Sequence, residues 1–306
     1  MPSPEELTYY STQSLVTDPG TSAPVLAGLP ANVVGLHKAA VGLVIHYVAE
    51  RPVDQGVAPE RMAEIETRYS ADMLARIAEL DDSPLDVTRP PTSRLVGCCR
   101  DFTVLFVTMA RAAGIPARLR VGFAGYLIPG YYVDHTVAEV WDDDAVCWVL
   151  IDPEFAEPLV AADGTVTDPL DVGRDRFLVG GAAWHQCRTG QADPDAFVVH
   201  PALEDPLTRS WPFMRRNLVA DLAALNKVET LQWDAWGLIG NDPSSPEELE
   251  LLDRVASLTT VVHPDFQQVR AIYENEPELR VPPTITSYDP LGGPPRRVTL
   301  RTVVEP

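Results

Sequence analysis

Gly97-Cys98-Cys99-Arg100-Asp101-Phe102, running into a segment closed by Gly114-Ile115-Pro116, leaves this chain little choice of local fold. Phe102, Leu105, Phe106, Met109 and Ala113 recur at helical spacing. Gly114 suits the position just past a helix end, and Pro116 forbids continuation. Upstream, Pro90-Pro91-Thr92-Ser93 reads as extended loop, so the helix must open close to the two cysteines. Unpaired N–H groups and the positive dipole end at a helix start favour thiolate over thiol. A cysteine so placed can fall from about 8.5 to between about 3.5 and 7.5 in pKa. The commoner fate of a single cysteine is to pack as a small apolar residue; what lies downstream favours the reactive reading.

After Pro116, Ala117, Leu119, Val121 and Phe123 alternate with Arg118, Arg120 and Gly122, the pattern of a half-buried strand. A glycine- and tyrosine-rich loop follows, from Gly125 to Tyr132. Strand-like runs at 135–141 and 146–152 then flank Asp142-Asp143-Asp144-Ala145, a polar four-residue loop suited to a hairpin. Symmetric closure sets Trp141 opposite Val146, Glu139 opposite Trp148, Val137 opposite Leu150 and His135 opposite Asp152. Directly opposed residues have Cβ atoms about 4.5–5.5 Å apart, within reach for a carboxylate to hold an imidazole. Slipping one residue would send the two to opposite faces. Cys99, His135 and Asp152 are the parts nucleophilic catalysis needs: a thiol, a base that carries its proton, and a carboxylate that fixes the tautomer of the base.

These residues resemble the transglutaminase-like superfamily. That family has a cysteine opening a helix that ends in a Gly-Ile-Pro-Ala-Arg segment, here Gly114-Ile115-Pro116-Ala117-Arg118. It then has a histidine near the start of one strand and an aspartate on the next, here within Asp134-His135-Thr136 and Ile151-Asp152-Pro153. Where the family carries a small polar or acidic residue before its cysteine, this chain has Cys98. Thr136 and Val137 follow the histidine where many members have an aromatic residue. The resemblance implies an α+β, papain-like core, with a nucleophile helix packed on an antiparallel sheet, and a triad of Cys99, His135 and Asp152. The chain also looks like a group of bacterial transglutaminase-like proteins of similar length.

With 306 residues, the chain can bury roughly three-quarters of its unfolded surface. We read it as one domain, with a helical N-terminal part at 31–84, a catalytic core at about 85–160 and a helical, Pro-rich extension at 166–306. The net charge of −20 argues against nucleic acid or an anionic membrane as partner. Met1-Pro2-Ser3-Pro4-Glu5-Glu6 lacks the features of a signal peptide. Cys98, Cys99, Cys147 and Cys187 show no disulfide-framework spacing, so a reducing cytoplasm is the default.

Residues 1–30 read as an irregular lead. Apolar spacing predicts helices at 32–50, 60–80, 182–188, 211–227, 247–259 and 265–274. Residues 158–171 read as a polar connection turning at Gly164, and the tail from Pro282 as a surface wrap or an added strand. His185 and Cys187 alone do not make a zinc site; no metal or cofactor is expected. His46 and Tyr47, upstream of the cysteine, are weighed as oxyanion donors and read rather as edge residues of a core helix. Cys98, Tyr126, Tyr131, Tyr132, Arg215, Asn217, Trp233 and Trp236 are the candidate lining of a substrate cleft. The expected activity is acyl transfer through an acyl-enzyme, hydrolysing or transamidating an amide or thioester. Its partner would be a small-molecule, peptide or carrier-bound acyl substrate. A non-catalytic binding module on the same fold is the alternative.

Overall fold

The structure is a computed structural model and describes residues 1–240, 245–260 and 264–302. In chain order it comprises α1 (Pro4–Ser11), α2 (Val33–Leu43), β1 (Val44–His46), α3 (Ser70–Leu80), β2 (Leu95–Gly97), α4 (Cys99–Ala112), β3 (Ala117–Ala124), β4 (Tyr132–Asp142) and β5 (Cys147–Ile151). There follow β6 (Leu159–Val160), β7 (Val166–Thr167), β8 (Phe177–Val179), α5 (Gly180–Arg188), β9 (Phe197–Val198), α6 (Ser210–Leu225), β10 (Asp234–Ala235), α7 (Pro246–Thr259), α8 (Phe266–Asn275), β11 (Thr284–Ser287) and β12 (Arg296–Thr299). The fold is α+β. Strands β5, β4, β3 and β8 lie side by side as an antiparallel sheet, and β9 adds to β4 in parallel. Gly122 is required where β3 meets β8, because a Cβ there would sit 2.2 Å from the Leu178 carbonyl oxygen.

Helix α4 is buried from Cys99 to Arg111. Phe102, Leu105, Phe106 and Met109 share one core with α2, α3, the sheet and α6. Arg100 ties the start of α4 to its surroundings, donating to the carbonyls of Arg68 (2.6 Å) and Glu229 (2.7 Å) and to Asp101 Oδ1 (3.0 Å). Nη1 of Arg100 also reaches the Thr67 carbonyl at 3.4 Å.

Several expectations need correction. The lead is not irregular, since Ser3 caps α1 by accepting from the Glu6 N–H and Pro4 takes the first helical position. The helix expected at 32–50 stops at Leu43, because β-branched Val44 and Ile45 pair with Leu95 and Val96 as a parallel strand. The helix expected at 60–80 is a 3₁₀ segment, Pro59–Glu66, followed by α3. The break falls at Thr67 and Arg68, whose carbonyls bond to Arg100 instead of continuing the helix. The connection at 158–171 contains the β6–β7 pair, with Gly164 at φ +83° in its turn. The tail needs no correction, since of its two expected states it takes the paired one, β12 on β11 and β11 on β10; residues 303–306 lie outside the described part.

The hairpin also differs. Asp142 pairs with Cys147, so the loop is 143–146, and Val146 adopts φ +54°. Trp141 faces Trp148 rather than Val146, and Glu139 faces Leu150 rather than Trp148. Each partner has moved by two residues. The pleat repeats every two, so His135 and Asp152 keep a common face even though they are not directly opposed.

Strand β3 is buried on both faces. Arg118, Arg120 and Glu139 are each 0% exposed. Arg118 Nε donates to Glu139 Oε2 at 2.6 Å and Arg120 Nη1 to the same oxygen at 3.0 Å. Arg118 also meets Glu6 at 3.1 Å, Arg120 meets Asp221 at 2.8 Å, and Arg174 meets Glu139 Oε1 at 2.7 Å. Alternation in the sequence marked these arginines as a solvated face; their carboxylate partners come from α1, β4 and α6, too far along the chain for the pattern to show them.

Candidate active site

Cys98 is the N-cap of α4 and Cys99 its first residue. Asp101 reaches back to accept from the Cys98 N–H at 2.9 Å, satisfying a donor that the helix start leaves open. Gly97 is needed here, since a Cβ would meet Asp101 Oδ2 at 2.8 Å and a Val44 methyl at 2.9 Å. The strand pair β1–β2 thus delivers Cys99 to one fixed place.

His135 and Asp152 come from β4 and from the residue just beyond β5. Nε2 of His135 lies 2.8 Å from Asp152 Oδ2, which leaves Nδ1 for the thiol. Exposure is 4% at Cys99, 2% at His135 and 1% at Asp152. Asp152 is held on every side. Its Oδ2 accepts from the Tyr126 hydroxyl at 2.6 Å and its Oδ1 from the Glu154 N–H at 3.1 Å. Its backbone N–H donates to Pro169, and its carbonyl lies 3.1 Å from His37 Nε2.

Electrostatics separate the two thiols. Burial alone would raise Cys99, but the hydrogen bond from Cys98 and the adjacent His135 hold its thiol well below the ordinary range. Burial alone would lower His135, but the charges of Asp152 and Cys99 hold it well above its usual value. Cys98 is pushed up, first by its bond to Cys99 and then by burial. Both shifts favour the thiolate–imidazolium form of the pair.

Gln232, not singled out from the sequence, donates from Nε2 toward Cys99 Sγ and Asp134 Oδ2, both at 3.2 Å. Asn217 Nδ2 donates to Asp134 Oδ1 at 2.9 Å, so Asn217 supports Gln232 through Asp134. Burial raises the Asp134 carboxyl to about 6. Glu154, also unforeseen as a site residue, brings a carboxylate oxygen to the thiol. Cys99 Sγ, an imidazole nitrogen of His135 and a Glu154 oxygen lie within 4.8 Å of one another.

The other candidates are placed as follows. Tyr126 bonds to Asp152, and its ring stands edge-on to His135. Tyr132 stacks on Phe197 at 4.7 Å, and Tyr131 is half-buried in the preceding turn. Trp233 packs edge-on to Tyr47, which stacks on His46. His46 accepts at Nδ1 from the Val48 and Ala49 N–H groups, and burial lowers its pKa. Arg215 is buried in α6, and Trp236 lies in the core and donates to the Leu279 carbonyl. His185 is exposed while Cys187 is buried. A cavity of about 420 Å³ opens beyond Arg100, between Arg68 and Pro282, and touches no member of the triad.

Residues 54–153 match the family model of the transglutaminase-like superfamily. The chain carries a transglutaminase-like core. Among solved structures, a candidate cysteine protease from Cytophaga hutchinsonii is 18% identical, over 55% of this chain and 47% of its own, with a TM-score of 0.33. Red sea bream transglutaminase is 15% identical, over 92% of this chain and 42% of its own, with a TM-score of 0.29. The chain thus spans less than half the length of each. No curated protein matches it. In this transglutaminase-like core the matched residues end at Pro153, one residue short of Glu154, while Gln232 lies far outside the match. Among the described residues no helix is long and apolar enough to cross a membrane.

Proposed function

We propose that this protein is a cysteine-dependent acyl-transfer enzyme acting on an amide or thioester. The observation that carries the proposal is the buried Cys99–His135 pair, with Asp152 2.8 Å from the far imidazole nitrogen and each partner shifted toward its charged form. Cys99 attacks the substrate carbonyl. The oxyanion that forms is stabilised by the N–H groups opening α4 and by the Gln232 amide, already within hydrogen-bond reach of the thiol sulfur. The His135 imidazolium hands its proton to the departing amine or thiol. The resulting thioester with Cys99 is released when water or an amine attacks, with His135 as base. Low exposure of the sulfur favours an acyl-enzyme that survives long enough to meet an acceptor other than water. The donor is a small-molecule, peptide or carrier-bound acyl group.

Incubation with a panel of activated acyl donors, acid quenching and mass spectrometry should show one acyl adduct, localised to Cys99. Gln232→Ala should slow its formation by about 10²–10³-fold, the cost of removing one oxyanion donor. A panel that leaves Cys99 unmodified, or adducts only on Cys147 or Cys187, would refute the proposal.

A further inference from the structure

Glu154 is not used by the acyl-transfer scheme, yet it is built into the pocket. Its Oε2 is buried and has no hydrogen-bond partner among the described residues. An orphaned buried carboxylate oxygen costs free energy unless something else occupies its lone pairs. The other groups within 4.8 Å are Cys99 Sγ and an imidazole nitrogen of His135.

A thiolate, an imidazole and a carboxylate are ligands that zinc takes at about 2.3, 2.0–2.1 and 2.0–2.2 Å. Tetrahedral placement at those lengths sets ligand atoms roughly 3.3–3.7 Å apart, and the three atoms start from separations of no more than 4.8 Å. The surroundings fit as well. Asp152 accepts from the far nitrogen of His135, the carboxylate–histidine arrangement that orients a metal-bound imidazole. Phe155 and Phe177 stand around the same ring and limit solvent access. Hard cations such as Mg²⁺ and Ca²⁺ prefer all-oxygen cages and do not suit a thiolate.

We propose that Cys99, His135 and Glu154 form a three-ligand site for a zinc-class divalent cation. Occupancy ties up the sulfur and the imidazole, so the nucleophile is silenced until the ion is withdrawn. That silencing rests on the acyl-transfer reading; the binding does not.

Cd²⁺ titration of the full chain, read by thiolate-to-cadmium ultraviolet absorption and competed with Zn²⁺, tests the site. The expected result is one equivalent bound, unaffected by millimolar Mg²⁺ and unchanged in Cys187→Ser. Cys99→Ser should abolish the band. Glu154→Gln should weaken binding at least about tenfold, since even outer-shell changes cost 10–100-fold. Bound Zn²⁺ should also protect Cys99 of the unaltered protein from iodoacetamide, a readout independent of how any variant folds. Cd²⁺ held as tightly by Glu154→Gln as by the unaltered chain, a band surviving in Cys99→Ser, or absent protection would each overturn the proposal. Acyl adducts on Cys99 with no metal binding would sink this inference alone; metal binding without acyl adducts would sink the acyl-transfer reading alone.

Discussion

Asp152→Asn is expected to fold normally and to lose activity by about 10⁴-fold, the cost of the matching change in a serine-protease triad. The neighbours of the carboxylate explain why an amide cannot substitute. Oδ2 faces both the His135 ring nitrogen at 2.8 Å and the Tyr126 hydroxyl at 2.6 Å, while Oδ1 accepts from the Glu154 N–H at 3.1 Å. An asparagine NH₂ at the Oδ1 position would oppose the Glu154 N–H, donor to donor. At the Oδ2 position it would require His135 Nε2 to accept, forcing the proton onto the nitrogen that faces Cys99. The imidazole then could not take a proton from that side. Steady-state kinetics on the best acyl donor, with circular dichroism as the folding control, measures this. Near-normal turnover would remove Asp152 from the mechanism.

Glu139→Gln is expected to destabilise the fold by about 3–5 kcal/mol, the typical cost of breaking a buried ion pair from one side. The substitution leaves Arg118 and Arg120, both fully buried, facing a neutral amide. Burial alone would raise the Glu139 carboxyl, but Arg118, Arg120 and Arg174 hold it well below the usual range. A group depressed in the folded state contributes stability that is fully present above its unfolded pKa of about 4.3. That contribution is lost as pH falls through the lower folded value. Urea unfolding from pH 7 down to pH 3 should therefore show a steeper loss for the unaltered protein than for Glu139→Gln. Equal slopes, or a loss under about 1 kcal/mol at pH 7, would mean that neighbouring charges relax to replace the carboxylate.

What could be read from the sequence was local. The helix opened by Cys99 and closed at Gly114-Ile115-Pro116 follows from apolar spacing and from two residues with narrow backbone preferences. The strand after Pro116 follows from alternation, and the strand-like run at 135–141 falls within β4, which begins earlier, at Tyr132. The hairpin register was missed by two residues because Val146 takes a left-handed turn position that β-branched residues disfavour. The cap at Ser3-Pro4-Glu5-Glu6 was visible in principle, being a standard helix-start signature. Gln232 and Glu154 were not legible as site residues. Gln232 reaches Cys99 from 133 positions away, and nothing in its own segment marks it apart from the flanking tryptophans. Trp236, equally prominent in that segment, turned into the core instead. Arg215 and Asn217 looked alike as polar residues on a core helix; Asn217 connects to the thiol through Asp134 and Gln232.

The central claim is that Cys99, and not its neighbour, is the activated thiol. Limiting iodoacetamide at pH 6, followed by fragment-ion localisation of the label within the peptide holding both cysteines, tests it directly. Cys99 should be labelled first, because the thiolate is the reacting form and its pKa is held down by Cys98 and His135. Cys98, whose thiol is raised by its bond to Cys99 and by burial, should react only in alkaline solution. Raising the pH from 6 to 8 should increase the Cys99 rate far less than that of a free thiol. Preferential labelling of Cys98 at pH 6, or a Cys99 rate climbing tenfold per pH unit like a free thiol, would contradict the account.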